Sequence, residues 1–171
     1  MHTAAIPRTI GQTLRAAAER YPNRDAILMG ERRLSHADVL REAQRHAAAL
    51  AAQGISHGDH VGLLMPNCLE YLLLFYGCAL LGARPVHINA RYKREDLRYV
   101  IADSDIRILI TSAKQREHID YAAMLSDIYP ELADWRFGEP LRIQAAPQLR
   151  AVFLLHADGE THWGQEAQLL P

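Results

Sequence analysis

The feature that most constrains the fold is a regular alternation of short apolar runs and amphipathic segments, which begins near Val61. Each apolar run has the length of a buried strand, and the segments between the runs show helical spacing, with roughly 22 residues per repeat. Strands are predicted at residues 61–65, 84–88, 106–111 and 152–155. Strands that alternate with helices pair in parallel through right-handed crossovers, which place helices against the sheet. The sequence therefore predicts an α/β fold with a mainly parallel sheet flanked by helices.

The segments around these strands carry the signals of helix ends. In three places a capping side chain is followed three positions later by an acid or amide, which predicts a helix start. These pairs are Thr9 with Gln12, Ser35 with Asp38, and Asn67 with Glu70. Gly54 and Gly82 follow the last apolar positions of the second and third helices, where a C-terminal cap glycine is expected. Residues 26–29 and 33–35 predict a short hairpin between the first two helices.

The C-terminal half is less regular. Helices are predicted at residues 93–102 and 114–129, and Pro130 ends the second of them. Residues 131–148 are predicted to be irregular, and residues 157–171 show no clear period.

Composition excludes several classes of partner and compartment. The formal net charge is −1, so no basic excess favours nucleic acid or an anionic membrane. The most apolar stretch, residues 71–81, is shorter than the about 20 residues that a membrane span needs, and no secretory signal is expected.

Cys68 and Cys78 are predicted to lie in one helix, about 15 Å apart along its axis, which is too far for a disulfide. Free thiols fit a reducing compartment, and a cytoplasmic protein is predicted.

The usual signatures of a complete active site are missing from the sequence. None of the 10 glycines falls in a phosphate-binding loop pattern, and no nucleophile elbow is present. Among the 9 histidines, His57 and His60 form the closest pair and could join Asp59 at a metal. Because zinc sites need three or four ligands and no further ligand is indicated, no metal site is expected. No catalytic residue is predicted either.

One segment has the position of a ligand-binding loop. Residues 89–92, with Arg91 and Tyr92, directly follow a predicted strand at its carboxyl end, where open α/β sheets bind ligands. Arg91 could hold an anionic group, and Tyr92 could stack on a ligand. Alternatively, Arg91 caps the loop and Tyr92 packs on the following helix. The residues themselves leave both interpretations open.

Several ordered motifs resemble those of one enzyme superfamily. Gly54-Ile55 with Gly58-Asp59-His60-Val61 is similar to its G-[VI]-x-x-G-D-x-V pattern. Leu64-Met65-Pro66-Asn67 with Glu70, Leu81-Gly82-Ala83 with Pro85, and Asn89-Ala90-Arg91-Tyr92 follow in the family's order. Over residues 9–111 the chain resembles the N-terminal portion of the adenylate-forming (AMP-binding) enzymes, most of all acyl-CoA synthetases, and residues 131–171 match only loosely.

The resemblance implies an activity that this chain does not complete by itself. Such enzymes use ATP and Mg²⁺ to convert a carboxylic acid to an acyl-adenylate, and then pass the acyl group to CoA. Their ATP-binding loop would come after residue 171. We therefore expect residues 1–171 to be a single N-terminal subdomain, truncated before that loop, inactive alone, and partnered by the remainder of the parent enzyme. Arg91 matches the arginine of the family's N-x-R segment, which implies a contact with a CoA phosphate.

Two other functions compete with this hypothesis. A non-catalytic, stand-alone module would bind a protein partner or an acyl or CoA moiety. A flavodoxin-like nucleotide binder is disfavoured because the sequence lacks a glycine-rich loop. Truncation further predicts uncovered apolar surface and self-association through it.

Overall fold

The computed structural model describes residues 8–114, 118–157 and 161–169, which form an α/β protein with two compact units. The first unit consists of Met1–His57 and Cys68–Ala83, and the second of Gly58–Asn67 and Arg84–Pro171. The chain therefore leaves the first unit after residue 57, returns to it at residue 68, and completes the second unit from residue 84 onward.

The first unit contains three helices and a two-stranded antiparallel sheet. Its elements are α1 (Ile10–Arg20), β1 (Asp25–Met29), β2 (Arg32–Ser35), α2 (His36–Ala52) and α3 (Leu69–Leu81). The predicted hairpin and the first two helix starts are confirmed. Thr9 Oγ1 accepts a hydrogen bond from the Gln12 N–H at 3.1 Å, and Ser35 and Asp38 form a complete capping box.

Close helix packing and one apolar cluster hold the first unit together. The buried cluster comprises Leu14, Leu34, Val39, Ala43, Leu69 and Leu73. A Cβ added at Gly77 of α3 would lie only 2.8 Å from the Cβ of His46 in α2. Glycine is thus required there by the close approach of two helices, and not by its own backbone angles.

The third helix begins later than predicted. Asn67 is not its N-cap: Cys68 holds that position in an extended conformation, without a side-chain cap, and α3 begins at Leu69. Cys68 and Leu69 are buried whereas Asn67 is exposed, so packing of apolar side chains outweighs the local capping preference. Both cysteines are buried free thiols, and Cys68 precedes the helix instead of lying within it. Gly82 ends the helix in the left-handed conformation, as predicted.

The second unit is a five-stranded, fully parallel sheet with helices packed on it. Its elements are β3 (His60–Leu64), β4 (Arg84–His87), α4 (Arg94–Asp103), β5 (Ile106–Ser112), α5 (Tyr121–Ile128), α6 (Glu131–Asp134), β6 (Ala151–Leu155), β7 (Gly164–Gln165) and α7 (Glu166–Leu169). The strand order is β4-β3-β5-β6-β7. The predicted fold class and the four predicted strands are confirmed.

A large apolar cluster packs α4 and α5 in the second unit. Leu97 of α4 and Leu125 of α5 have no exposed surface in it. Both tryptophans of the chain, Trp135 and Trp163, belong to the same cluster. The indole N–H of Trp163 donates to the Leu132 carbonyl at 3.0 Å, which ties the C-terminal segment to α6.

Three C-terminal regions differ from the sequence-based expectation. Residues 131–148, which were predicted to be irregular, begin with the short helix α6. The helix predicted at residues 114–129 is shorter, because Asp120 caps α5 by accepting from the Ala123 N–H at 2.9 Å. Residues 115–117 of that prediction lie outside the described residues. The tail has regular structure despite its lack of period, since β7 pairs with β6 and Trp163 is buried. Residues 158–160 and 170–171 lie outside the described residues as well.

In the described ranges, none of the helices combines the length and the apolar character that a bilayer crossing requires. The cytoplasmic location stays a prediction. Ile10 and Leu28 of the first unit are 49% and 63% exposed, and self-association through such side chains also stays a prediction.

Candidate functional site

The carboxyl ends of the parallel strands meet at one edge of the second unit. The register pairs Leu63 with His87 and Leu64 with Thr111, so β3, β4 and β5 end side by side. β6 ends beside β5, where Leu155 pairs with Ser112. Open α/β sheets bind their ligands at this edge, because the loops that leave the strands converge there.

The loop between β4 and α4 is a tight turn built around Asn89. Its Oδ1 accepts from the backbone N–H of Arg91 at 2.9 Å, and its carbonyl accepts from the Tyr92 N–H at 3.0 Å. On the strand side, the buried Ile88 donates its N–H to the Leu63 carbonyl at 3.1 Å. The short asparagine side chain thus closes the turn locally, as asparagine commonly does.

A distant tyrosine also holds this loop. The hydroxyl of Tyr121, the first residue of α5, donates to the carbonyl of Ala90 at 2.9 Å. Tyr121 is 2% exposed, and burial raises the pKa of its hydroxyl. The phenol therefore stays protonated and able to donate through the neutral pH range.

Arg91 presents its side chain to solvent from this turn. The guanidinium forms no ion pair with any other residue that the structure describes, and the residue is exposed. Its backbone N–H, and not its side chain, takes part in closing the turn. Tyr92 beside it is 37% exposed. A guanidinium placed in this way can donate two parallel hydrogen bonds to a phosphate or carboxylate.

Polar side chains on the neighbouring strand ends are already used within the protein. Thr111 donates its hydroxyl to the Leu64 carbonyl at 2.7 Å. Ser112 Oγ lies 3.0 Å from Nδ1 of His156 and accepts the Lys114 N–H at 3.1 Å. Sequence reasoning did not identify the Ser112–His156 pair, which joins the last residue of β5 to the residue that follows β6.

A pocket of about 270 Å³ adjoins these groups. Its polar lining comes from Ser112, Asp120, Tyr121, Thr161 and His162. Tyr121 therefore lines this pocket and also donates its hydroxyl to the Arg91 loop.

His57 and His60, the closest pair of histidines in the sequence, do not belong to a group of metal ligands among the described residues. His60 places Nδ1 2.6 Å from the Ser104 carbonyl and Nε2 3.3 Å from Nη1 of Arg84. Asp59 pairs with Arg107 at 3.1 Å, and His57 belongs to the other unit. Within the described ranges no three histidine, cysteine or acidic side chains group as metal ligands.

Comparison with known families gives one clear match. The model of the AMP-binding enzyme family matches residues 14–154, which include the whole of β3, β4 and β5 and the Arg91 loop.

Curated relatives extend over most of this chain but are much longer than it. A long-chain-fatty-acid–CoA ligase of Mycobacterium tuberculosis is 32% identical over 167 residues, which cover 90% of this chain and 33% of that ligase. A medium-chain acyl-CoA ligase of Homo sapiens is 30% identical over 152 residues, covering 88% of this chain and 24% of its own length. The chain thus spans a third or less of these relatives.

Solved structures share the fold. The N-terminal domain of FACL13 from Mycobacterium tuberculosis superimposes with a TM-score of 0.69 at 29% identity, covering 95% of this chain and 35% of that one. Coronafacic acid ligase from Pectobacterium brasiliense superimposes with a TM-score of 0.74, covering 95% of this chain and 29% of that ligase. Because the two sequences are only 18% identical, this likeness shows the fold alone.

Proposed function

The chain belongs to the AMP-binding enzyme family, and on that premise we propose that it forms the N-terminal part of an acyl-CoA ligase. The complete enzyme would activate a carboxylic acid with ATP and transfer the acyl group to CoA. We propose a fatty acid as the substrate, because the curated relatives are named as long-chain and medium-chain ligases.

The observation that carries the proposal is the match to such ligases over about nine tenths of this chain. The same match covers only 33% of the mycobacterial ligase, which leaves two thirds of such an enzyme to supply the other binding sites. Residues outside this chain would bind ATP and Mg²⁺, since the sequence has no glycine-rich phosphate loop and the described residues hold no metal-ligand cluster.

Within this chain we propose one direct role in substrate binding. Arg91 would hold a phosphate of CoA at the carboxyl edge of the sheet. The exposed guanidinium on a well-defined turn supports this role, because bidentate hydrogen bonds from arginine suit a phosphate group.

The coding sequence downstream of codon 171 provides the first test. An open reading frame that continues into a segment rich in Ser, Thr and Gly and ending in Lys is the expected result. A stop codon at that place would instead favour a stand-alone module. In an assay of pyrophosphate exchange into ATP with a fatty acid, the full-length protein should be active and the purified 171-residue chain inactive.

The role of Arg91 is tested separately by Arg91→Ala in the full-length ligase. Loss of a charge-assisted contact is worth about 1.4 kcal/mol or more, so the KM for CoA should rise about tenfold or more. Adenylate formation, measured by pyrophosphate exchange, should be spared. Arg98→Ala is the matched control, because Arg98 is another exposed arginine of the same unit. Equal loss of both half-reactions in Arg91→Ala would contradict the assignment.

A further inference from the structure

We propose that Tyr121 is a positioning residue for Arg91: its hydroxyl fixes the peptide plane from which the Arg91 side chain departs. This inference rests on the proposed function, because it takes Arg91 to be the contact to a CoA phosphate.

The argument begins with the two ends of one peptide group. The carbonyl of Ala90 and the N–H of Arg91 belong to the same planar unit. Tyr121 donates to that carbonyl at 2.9 Å, and Asn89 Oδ1 accepts from that N–H at 2.9 Å. A planar group held at its oxygen and at its nitrogen has little freedom to rotate, so both hydrogen bonds together determine where the Arg91 Cα lies.

The residues after Arg91 are held as well. The Tyr92 N–H donates to the Asn89 carbonyl at 3.0 Å, and the Lys93 N–H donates to Asp96 Oδ2 at 3.1 Å, where α4 begins. Among these hydrogen bonds, the one from Tyr121 is the only one that reaches the turn from a distant element. Without it, the short side chain of Asn89, two residues away, is the one remaining side chain among the described residues that holds the peptide plane before Arg91.

A second tyrosine, at the C-terminal end of α5, offers a matched control. Tyr129 follows the last residue of α5, is also 2% exposed, and donates its hydroxyl to the carbonyl of Arg98 at 3.2 Å. In both pairs the acceptor lies 31 residues earlier in the chain. The two hydrogen bonds therefore resemble each other in donor, acceptor and burial, and differ in that only Tyr121 holds the Arg91 turn.

Tyr121→Phe and Tyr129→Phe in the full-length ligase test the proposal. We expect the KM for CoA to rise about fivefold in Tyr121→Phe, because a misplaced guanidinium loses alignment with the phosphate. Pyrophosphate exchange and the KM for ATP should not change. Tyr129→Phe should leave the KM for CoA unchanged, while thermal melting shows a similar loss of stability in both variants.

The double variant Arg91→Ala/Tyr121→Phe separates this proposal from the proposed function. If Tyr121 acts through Arg91, its substitution should add nothing to the KM for CoA once Arg91 is absent. An unchanged KM in Tyr121→Phe together with a raised KM in Arg91→Ala would overturn the positioning role and leave the role of Arg91 intact. An equal rise in Tyr129→Phe, or full additivity in the double variant, would also overturn it. An unchanged KM for CoA in Arg91→Ala would overturn both the role of Arg91 in binding CoA and the positioning role of Tyr121.

Discussion

Replacement of Leu97 by alanine tests the packing of the helices on the parallel sheet. Leu97 lies on α4, has no exposed surface, and belongs to the large apolar cluster of the second unit. The substitution removes three carbon atoms, each worth about 0.8 kcal/mol of transfer free energy, and leaves a cavity that adds to the loss. We expect the free energy of unfolding to fall by about 3 to 4 kcal/mol, a large share of the typical 5 to 15 kcal/mol of a domain.

Urea unfolding followed by tryptophan fluorescence is a suitable assay, because Trp135 and Trp163 lie in the same cluster as Leu97. The signal therefore reports on the unit that the substitution perturbs. Tyr99→Ala on the same helix is the control, since Tyr99 is 68% exposed and its replacement should change the unfolding free energy by about 0.5 kcal/mol or less. If Leu97→Ala cost less than about 1 kcal/mol, or no more than Tyr99→Ala, the packing of α4 on the sheet would be refuted.

Two further predictions concern ionisable groups. The hydrogen bond from the Ser35 hydroxyl is the largest of the effects that lower the pKa of Asp38, from 3.8 to about 2. The stability that the ionised Asp38 carboxylate contributes is therefore present above pH 3.8 and is lost as the pH falls through about 2. In Ser35→Ala, an NMR titration should show the pKa of Asp38 moving upward; an unchanged value would contradict the assigned cause. Burial raises the pKa of the Cys78 thiol to about 12. A thiol reagent at pH 8 should therefore label Cys78 only after denaturation. Rapid labelling of the native chain at Cys78 would contradict the buried position.

Local signals in the sequence were sufficient for most elements and failed where packing competed with them. The capped starts of α1 and α2 were predictable because Thr9 and Ser35 act on backbone groups only three residues away. The start of α3 was not, because the burial of Cys68 and Leu69 outweighed the capping side chain of Asn67. β7 escaped prediction for a related reason: a two-residue strand has no period of its own and exists through its pairing with β6.

The candidate site shows the same division. Arg91 is a prediction from the sequence, because its loop follows a predicted strand and it stands in a family motif, and its role in binding stays a prediction. Tyr121 was not predicted, although it contacts the same loop, because 31 residues separate it from Ala90 and no spacing rule connects the two.

The sequence by itself determined the α/β class, the N-terminal caps of α1 and α2, the family motifs and the lack of a glycine-rich loop, because these depend on residue types at short spacing. Only the tertiary structure decided the strand order β4-β3-β5-β6-β7, the division into two units and the attachment of the Arg91 turn to α5. Hydrogen bonds between strands and across loops join groups that are distant in the chain. Their partners are selected by packing of the whole core, which no local pattern records.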